Sequence, residues 1–148
     1  MNGCIGVIAV GIVGHKSGWS RATYHEIGWI TKAIAIGAPH DDDVFLGPVN
    51  NSNQLARVSD LLSRVPAHAQ VMTGGSALDR AGFFFPATVV AGLAQDDELI
   101  QKEIFGPVIT VQKFSDEAQA ISMANGVDYG LASSVWTANH GTAMRMAK

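Results

Sequence analysis

Cysteine is nearly absent from this chain: Cys4 is the only one among 148 residues. An internal disulfide is therefore excluded, and the composition fits a reducing, cytoplasmic setting. Basic charge is scarce too, since ten Lys and Arg face thirteen Asp and Glu for a formal charge of -3. Without a cationic cluster to neutralise a phosphate backbone, no nucleic acid is expected as a partner. Long apolar runs are missing as well. The longest, Cys4 to Val13, is interrupted by Gly6 and Gly11 and reaches about half of the roughly 20 residues that cross a bilayer, so no membrane is expected either. No Lys or Arg precedes that run and no small-residue cleavage pattern follows it, so it reads as a buried strand and not a secretory leader. The five His form no H-x-x-x-H pair, which argues against a zinc site. His40 beside Asp41, Asp42 and Asp43 reads as a solvated loop, because consecutive side chains diverge and no second ligand group closes a metal site. The run Gly11 to Ser17 resembles a phosphate-binding loop only briefly: His15 stands where the loop needs Gly, and Val10 where its first Gly belongs.

What is present is apolar. Hydrophobic residues make up 47% of the chain and charged ones 16%, enough for one ordinary core. From Ala22 to Ile36 an approximate helical stripe runs through Ala22, Ile27, Ile30, Ala33 and Ile34 and stops at Gly37 and Pro39. Asn51 or Ser52 caps a second helix carrying Leu55, Val58, Leu61, Leu62 and Val65 on one face, with Pro66 beyond its end. After a Gly74-Gly75 turn, Phe83 to Val90 and Val108 to Phe114 read as strands. Ser115 caps a helix through Asn125, with Asp116 and Glu117 at the positive end of its dipole. A further strand from Leu131 to Thr137 completes a β-α-β order. The fold class is α/β: a parallel sheet with flanking helices.

The segment with the most chemistry is Gln95 to Val111, where Asp96, Asp97, Glu98, Lys102 and Glu103 lead into Ile104-Phe105-Gly106-Pro107-Val108. Gly106 admits backbone conformations closed to other residues, and Pro107 fixes its own φ and restricts its predecessor. The result is a rigid corner that can hold an acid and an aromatic ring at the mouth of a strand, where open α/β sheets bind ligands. By itself, an acid at a helix end is usually solvated.

Glu103 to Val108 resembles the EIFGPV signature of NAD(P)-dependent aldehyde dehydrogenases. The likeness continues upstream through Gly47-Pro48, Gln54, Thr73-Gly74-Gly75, Gly82 to Thr88 and Gln101-Lys102. Downstream it takes in Phe114, Ala124-Asn125, Tyr129-Gly130-Leu131-Ala132 and Val135-Trp136-Thr137. It is dense over residues 37–148, which resemble part of the family's catalytic domain, and in detail is most similar to the aminobutyraldehyde branch. The resemblance implies NAD or NADP as cofactor, a small-molecule aldehyde as substrate and a homo-oligomeric intact enzyme. It also implies roles by position. Glu103 would accept hydrogen bonds from the nicotinamide-ribose hydroxyls, and Phe105 would pack near the nicotinamide. Gln54 and Arg57 match residues that approach the adenine ribose in some members. Leu131 matches one that lines the cofactor site in some, with core packing as the alternative.

The family reaction passes through a cysteine thiohemiacetal and thioester, with an oxyanion site and a glutamate base. The base motif and the Gly-rich dinucleotide-binding half have no match in these 148 residues, so the chain is expected to be a fragment that is inactive alone. The family's nucleophile stands in a Gly-Gln-x-Cys-Thr context. Cys4, between Gly3 and Ile5 and a few residues too far from Gly37, is the one candidate, against the alternative of an inert buried thiol. Residues 1–36 match the family thinly and carry six glycines, which weakens elements the fold needs. They read as a degenerate or misread segment leading into the domain. A non-catalytic remnant or assembly module that keeps the fold is the competing function.

Overall fold

The computed structural model describes residues 9–12 and 21–147. Cys4 and residues 13–20, with most of the run that resembles a phosphate-binding loop, lie outside the described residues. Along the chain run β1 (Ala9–Ile12), α1 (Arg21–Lys32), α2 (Ser52–Ser63), β2 (Gln70–Thr73), β3 (Thr88–Ala91), α3 (Glu98–Gln101), β4 (Val108–Gln112), α4 (Glu117–Ala124) and α5 (His140–Met146). The strands form one sheet in the order β1-β4-β3-β2.

The parallel pairing expected of an α/β chain holds for β1 with β4 and for β4 with β3, the latter in the register Thr88↔Val108 to Ala91↔Val111. β2 departs from it. It pairs antiparallel with β3, with an irregularity between Val71 and Thr73, so the sheet is mixed. The cause lies in the connection, because a parallel return needs a crossover, commonly a helix, and residues 74–87 contain no helix. Gly74 at φ +72° and Gly75 at φ +97° turn the chain back instead.

β3 is buried at all four positions, which means on both faces, because successive side chains alternate. On one side Val90 joins Val108, Phe85, Leu93, Leu99, Ile100, Val58 and Leu62 in the core cluster. α1 packs against β2 and β3 through small residues. Gly28 and Thr31 are buried, while Ile30, placed on the stripe by its spacing, is exposed. A Cβ at Gly28 would lie 3.5 Å from Met72 Cβ, so the glycine marks where helix and strand approach.

Three further expectations change. The strand expected over Phe83 to Val90 is shorter. Phe84 and Phe85 are buried, but Pro86 has no N–H for a ladder, and regular pairing begins at Thr88. The strand expected over Leu131 to Thr137 does not form among the described residues, and the whole run is exposed. β4 already has β1 on one side and β3 on the other, so a crossover from β4 through α4 finds no free edge there. The α4 cap is Asp116 and not Ser115: its carboxylate accepts from the Gln119 N–H at 2.9 Å. Ser115 instead donates its N–H and its hydroxyl to the Gln119 side chain. The His40 loop is exposed, as expected for a solvated turn.

Candidate functional site

α2 is the element that builds the site. Asn51 caps it by accepting from the Gln54 N–H at 2.9 Å, and Val58, Leu61 and Leu62 bury its apolar face. The helix ends at Arg64, before Pro66. Arg64 also pins α2 to α3, through Glu98 at 2.9 Å and its own-helix Asp60. The Arg64 hydrogen bond holds the Glu98 carboxyl below its ordinary range. Behind α3, Gln101 and Gln95 both donate to the Gly126 carbonyl, and His68 and Ala94 N–H meet the Asp97 carboxylate at 2.9 and 2.6 Å.

Positions 54, 57 and 58 are spaced i, i+3, i+4 and so share one helix face. That face meets the corner. The Gln54 side-chain amide donates to the Ile104 carbonyl at 3.1 Å and also to the Phe105 carbonyl. Arg57 donates to the main-chain carbonyl of Glu103 at 2.6 Å. Gly106 rests on Val58, where an added Cβ would come within 2.6 Å of Val58 Cγ2. The far side of the corner is tied to the sheet, since the Thr88 N–H donates to the Pro107 carbonyl at 2.8 Å.

Within this frame Phe105 adopts φ +56°, a left-handed conformation that an aromatic residue rarely takes and that costs about 1 to 3 kcal/mol. Phe105 as a whole is 50% exposed. The Glu103 side chain is half-buried, and among the described residues no hydrogen bond or ion pair engages its carboxylate. The corner immediately precedes β4. It therefore sits at the amino end of the parallel strands, not at the carboxyl end where doubly wound sheets place ligands, which corrects the position expected from sequence.

The structure thus brings Gln54, Arg57, Glu103 and Phe105 together. Leu131 stands apart from that hydrogen-bonded group in the extended run, 87% exposed, which sets aside the core-packing alternative for it. Sequence reasoning missed Val58 as the seat of Gly106 and missed that Gln54 and Arg57 grip main-chain carbonyls. Their spacing on a capped helix was the available signal.

The described chain is thus a mixed α/β sheet flanked by helices, with an acid and an aromatic ring on a glycine-proline corner. The chain belongs to the aldehyde dehydrogenase family, whose model matches residues 15–148. It is 42% identical over 113 residues to an aldehyde dehydrogenase of Emericella nidulans, covering 76% of this chain and 23% of that protein. It is 36% identical to the lactaldehyde dehydrogenase of Escherichia coli, over 84% of this chain and 26% of the relative. The crystal structure of lactaldehyde dehydrogenase from Escherichia coli superposes with a TM-score of 0.84 at 34% identity, over 92% of this chain and 29% of that one. Betaine aldehyde dehydrogenase from Staphylococcus aureus in complex with NAD+ gives a TM-score of 0.84 at 30% identity, over 92% and 28%. The chain spans about a quarter of the length of the curated relatives it matches.

Proposed function

We propose that this chain serves the oxidation of an aldehyde to a carboxylic acid by NAD(P)+, and that its own contribution is the contact to the nicotinamide ribose. One observation carries this reading: the Glu103 carboxylate is free of any described partner, on a corner whose backbone is held from three sides. A carboxylate accepts hydrogen bonds from vicinal hydroxyls without giving up its charge. The half-exposed ring of Phe105, two residues on, offers an apolar surface suited to a nicotinamide. These residues fit the nicotinamide end of a dinucleotide, and the bound dinucleotide supplies hydride acceptance. Leu131, on an exposed run, is retained in this reading as a lining residue. Cys4 remains the chain's one candidate thiol nucleophile. The reading includes a cytoplasmic setting, in keeping with a chain that cannot close an internal disulfide.

The test is an NMR titration of the 148-residue chain with nicotinamide mononucleotide. Shifts should appear at Glu103 and Phe105, and Glu103→Gln should weaken binding by about threefold to tenfold, because a neutral acceptor makes the weaker bond. Equal affinity of wild type and variant would make Glu103 a surface acid only. Mixed with NAD+ or NADP+ and a panel of aldehydes that includes aminobutyraldehyde, the chain alone should produce no reduced nicotinamide, since no glutamate base motif is present in it. Turnover would refute that part.

One observation favours the second reading, a non-catalytic assembly module. The run 129–137 is exposed, with Leu131 at 87% and Trp136 at 90%, and such apolar surface is a common mark of a covered face. Sedimentation of the purified chain tests it: a monomer at all concentrations argues against self-assembly through that run. Residues 1–36 are read in both cases as a degenerate or misread lead-in, with the family match beginning inside them at residue 15. Translating the flanking DNA in the other two frames should recover a Gly-Gln-x-Cys-Thr motif within a few codons of Cys4, and its absence ends the frame explanation.

A further inference from the structure

We propose that Gln54 and Arg57 are positioning residues: they preset the backbone of Glu103, Ile104 and Phe105, so that the Glu103 carboxylate and the Phe105 ring are already aimed when a nicotinamide riboside arrives. The proposal rests on the reading of Glu103 given above and departs from the direct adenine-ribose contact that the family resemblance implies for the same two residues.

Carbonyl geometry is the first argument. In an extended chain consecutive carbonyls point to opposite sides, and one donor cannot serve both. The Gln54 amide nitrogen meets the carbonyls of Ile104 and Phe105 together. It can do so because Phe105 sits at φ +56°, where successive carbonyls turn to the same side. Gln54 thus selects the rare conformation, and without it the corner would relax toward the extended backbone that other residues prefer. The second argument is where Arg57 spends its charge. Its guanidinium donates to the main-chain carbonyl of Glu103 and forms no described bond with that residue's carboxylate. A salt bridge would have consumed the acceptor; this arrangement fixes the residue and leaves its charge for hydroxyl donors. The Gln54 amide commits both of its hydrogens to carbonyls, so it has none left for a ribose, whereas Arg57 spends one nitrogen on the Glu103 carbonyl.

The experiment compares the 148-residue chain with Gln54→Ala, Arg57→Ala and Arg57→Lys. It reads the backbone chemical shifts of residues 103–106, the affinities for nicotinamide mononucleotide and for adenosine monophosphate, and the urea midpoint. Both alanine variants should move the Phe105 shifts toward extended values and weaken nicotinamide mononucleotide binding by about threefold to tenfold. Arg57→Lys, which keeps a cationic donor, should recover most of that loss. The urea midpoint should move little, because neither side chain belongs to the core cluster and the strain released at Phe105 offsets the hydrogen bonds lost, whereas a merely structural role would move it. Unchanged shifts at residues 103–106 in both alanine variants overturn the proposal, whatever happens to binding. Loss of adenosine monophosphate affinity with those shifts intact overturns it in favour of direct ribose contact. If the wild type does not bind nicotinamide mononucleotide, the reading of Glu103 fails, and the shifts still decide whether the two residues hold the corner.

Discussion

Replacing Gly106 by alanine should loosen the corner through one identifiable collision. The added Cβ would stand 2.6 Å from Val58 Cγ2 and 3.4 Å from Cγ1. Val58 is fully buried and belongs to the cluster with Phe85, Val90 and Val108, so it cannot swing away. Forcing an extra carbon into a packed interior costs about 1 to 3 kcal/mol. Against this, alanine restricts the unfolded chain and returns about 0.4 to 1 kcal/mol. The net expectation is a loss of about 1 to 2 kcal/mol. Val58→Ala alone removes two buried methyl groups and costs about 2 to 3 kcal/mol once the cavity is counted. In that background the nearest remaining Val58 atom is Cβ at 3.6 Å, an ordinary contact, so Gly106→Ala should be neutral or slightly stabilising. The double-mutant cycle, measured by urea unfolding with far-ultraviolet circular dichroism, should show a coupling of about 1 to 3 kcal/mol. Two effects that add within about 0.5 kcal/mol would refute the reasoning, because the glycine would then be required for some cause other than Val58.

Three more outcomes are expected. Asn51→Ala removes the acceptor for the Gln54 N–H and should cost about 1 kcal/mol in urea unfolding; Asn51→Ser should restore most of it, and equal stability of all three chains would show the cap to be idle. Gly74→Ala should destabilise by about 2 kcal/mol or more, since φ is +72° and a Cβ would meet Thr88 Oγ1 and, at 2.7 Å, the Ala87 carbonyl; a thermal scan matching wild type would contradict it. Acid should loosen α5 from α4, because the Arg145 hydrogen bond holds the Glu117 carboxyl below its usual value of 4.5. A lowered folded-state pKa means that the contribution is present above the unfolded value and lost as pH falls through the folded one. Glu117→Gln should flatten that part of the pH profile, followed by the Arg145 side-chain signal in NMR, and an unchanged profile would dismiss the pair.

Much of the frame was legible from local chemistry. The α2 boundaries follow from Asn51, the Val58-Leu61-Leu62 stripe and Pro66, and all three recur in the structure. A corner was legible at Gly106-Pro107, but the left-handed φ falls on Phe105 and not on Gly106, which is glycine to make room for Val58; the motif around it pointed to the family. The rest depends on long-range geometry. Nothing in Gln70 to Thr73 states that the strand will run antiparallel; only the helix-free interval that follows does so. The apolar run 131–137 has the composition of a strand, and composition does not reveal that both edges of β4 are taken. α1 reversed the expected ranking of its faces: Gly28, close to Met72, and Thr31 are buried while the larger Ile30 is exposed. At the site, residue identity was available from the sequence and donor direction was not.

That difference matters energetically. Holding Phe105 at positive φ costs about 1 to 3 kcal/mol. Each neutral hydrogen bond from Gln54 contributes about 0.5 to 1.5 kcal/mol and the charged one from Arg57 about 1.5 to 3 kcal/mol before exposure to solvent weakens it. The two sides are of the same size, so the rare conformation survives only while α2 supplies its donors and keeps Val58 under Gly106. The apolar face of α2 that secures the core and the polar edge that secures the corner are parts of one helix, seated by the same cap at Asn51. A substitution that shifts α2 along its axis by a fraction of a turn would therefore be felt first at Glu103 and Phe105, before the core itself gave way.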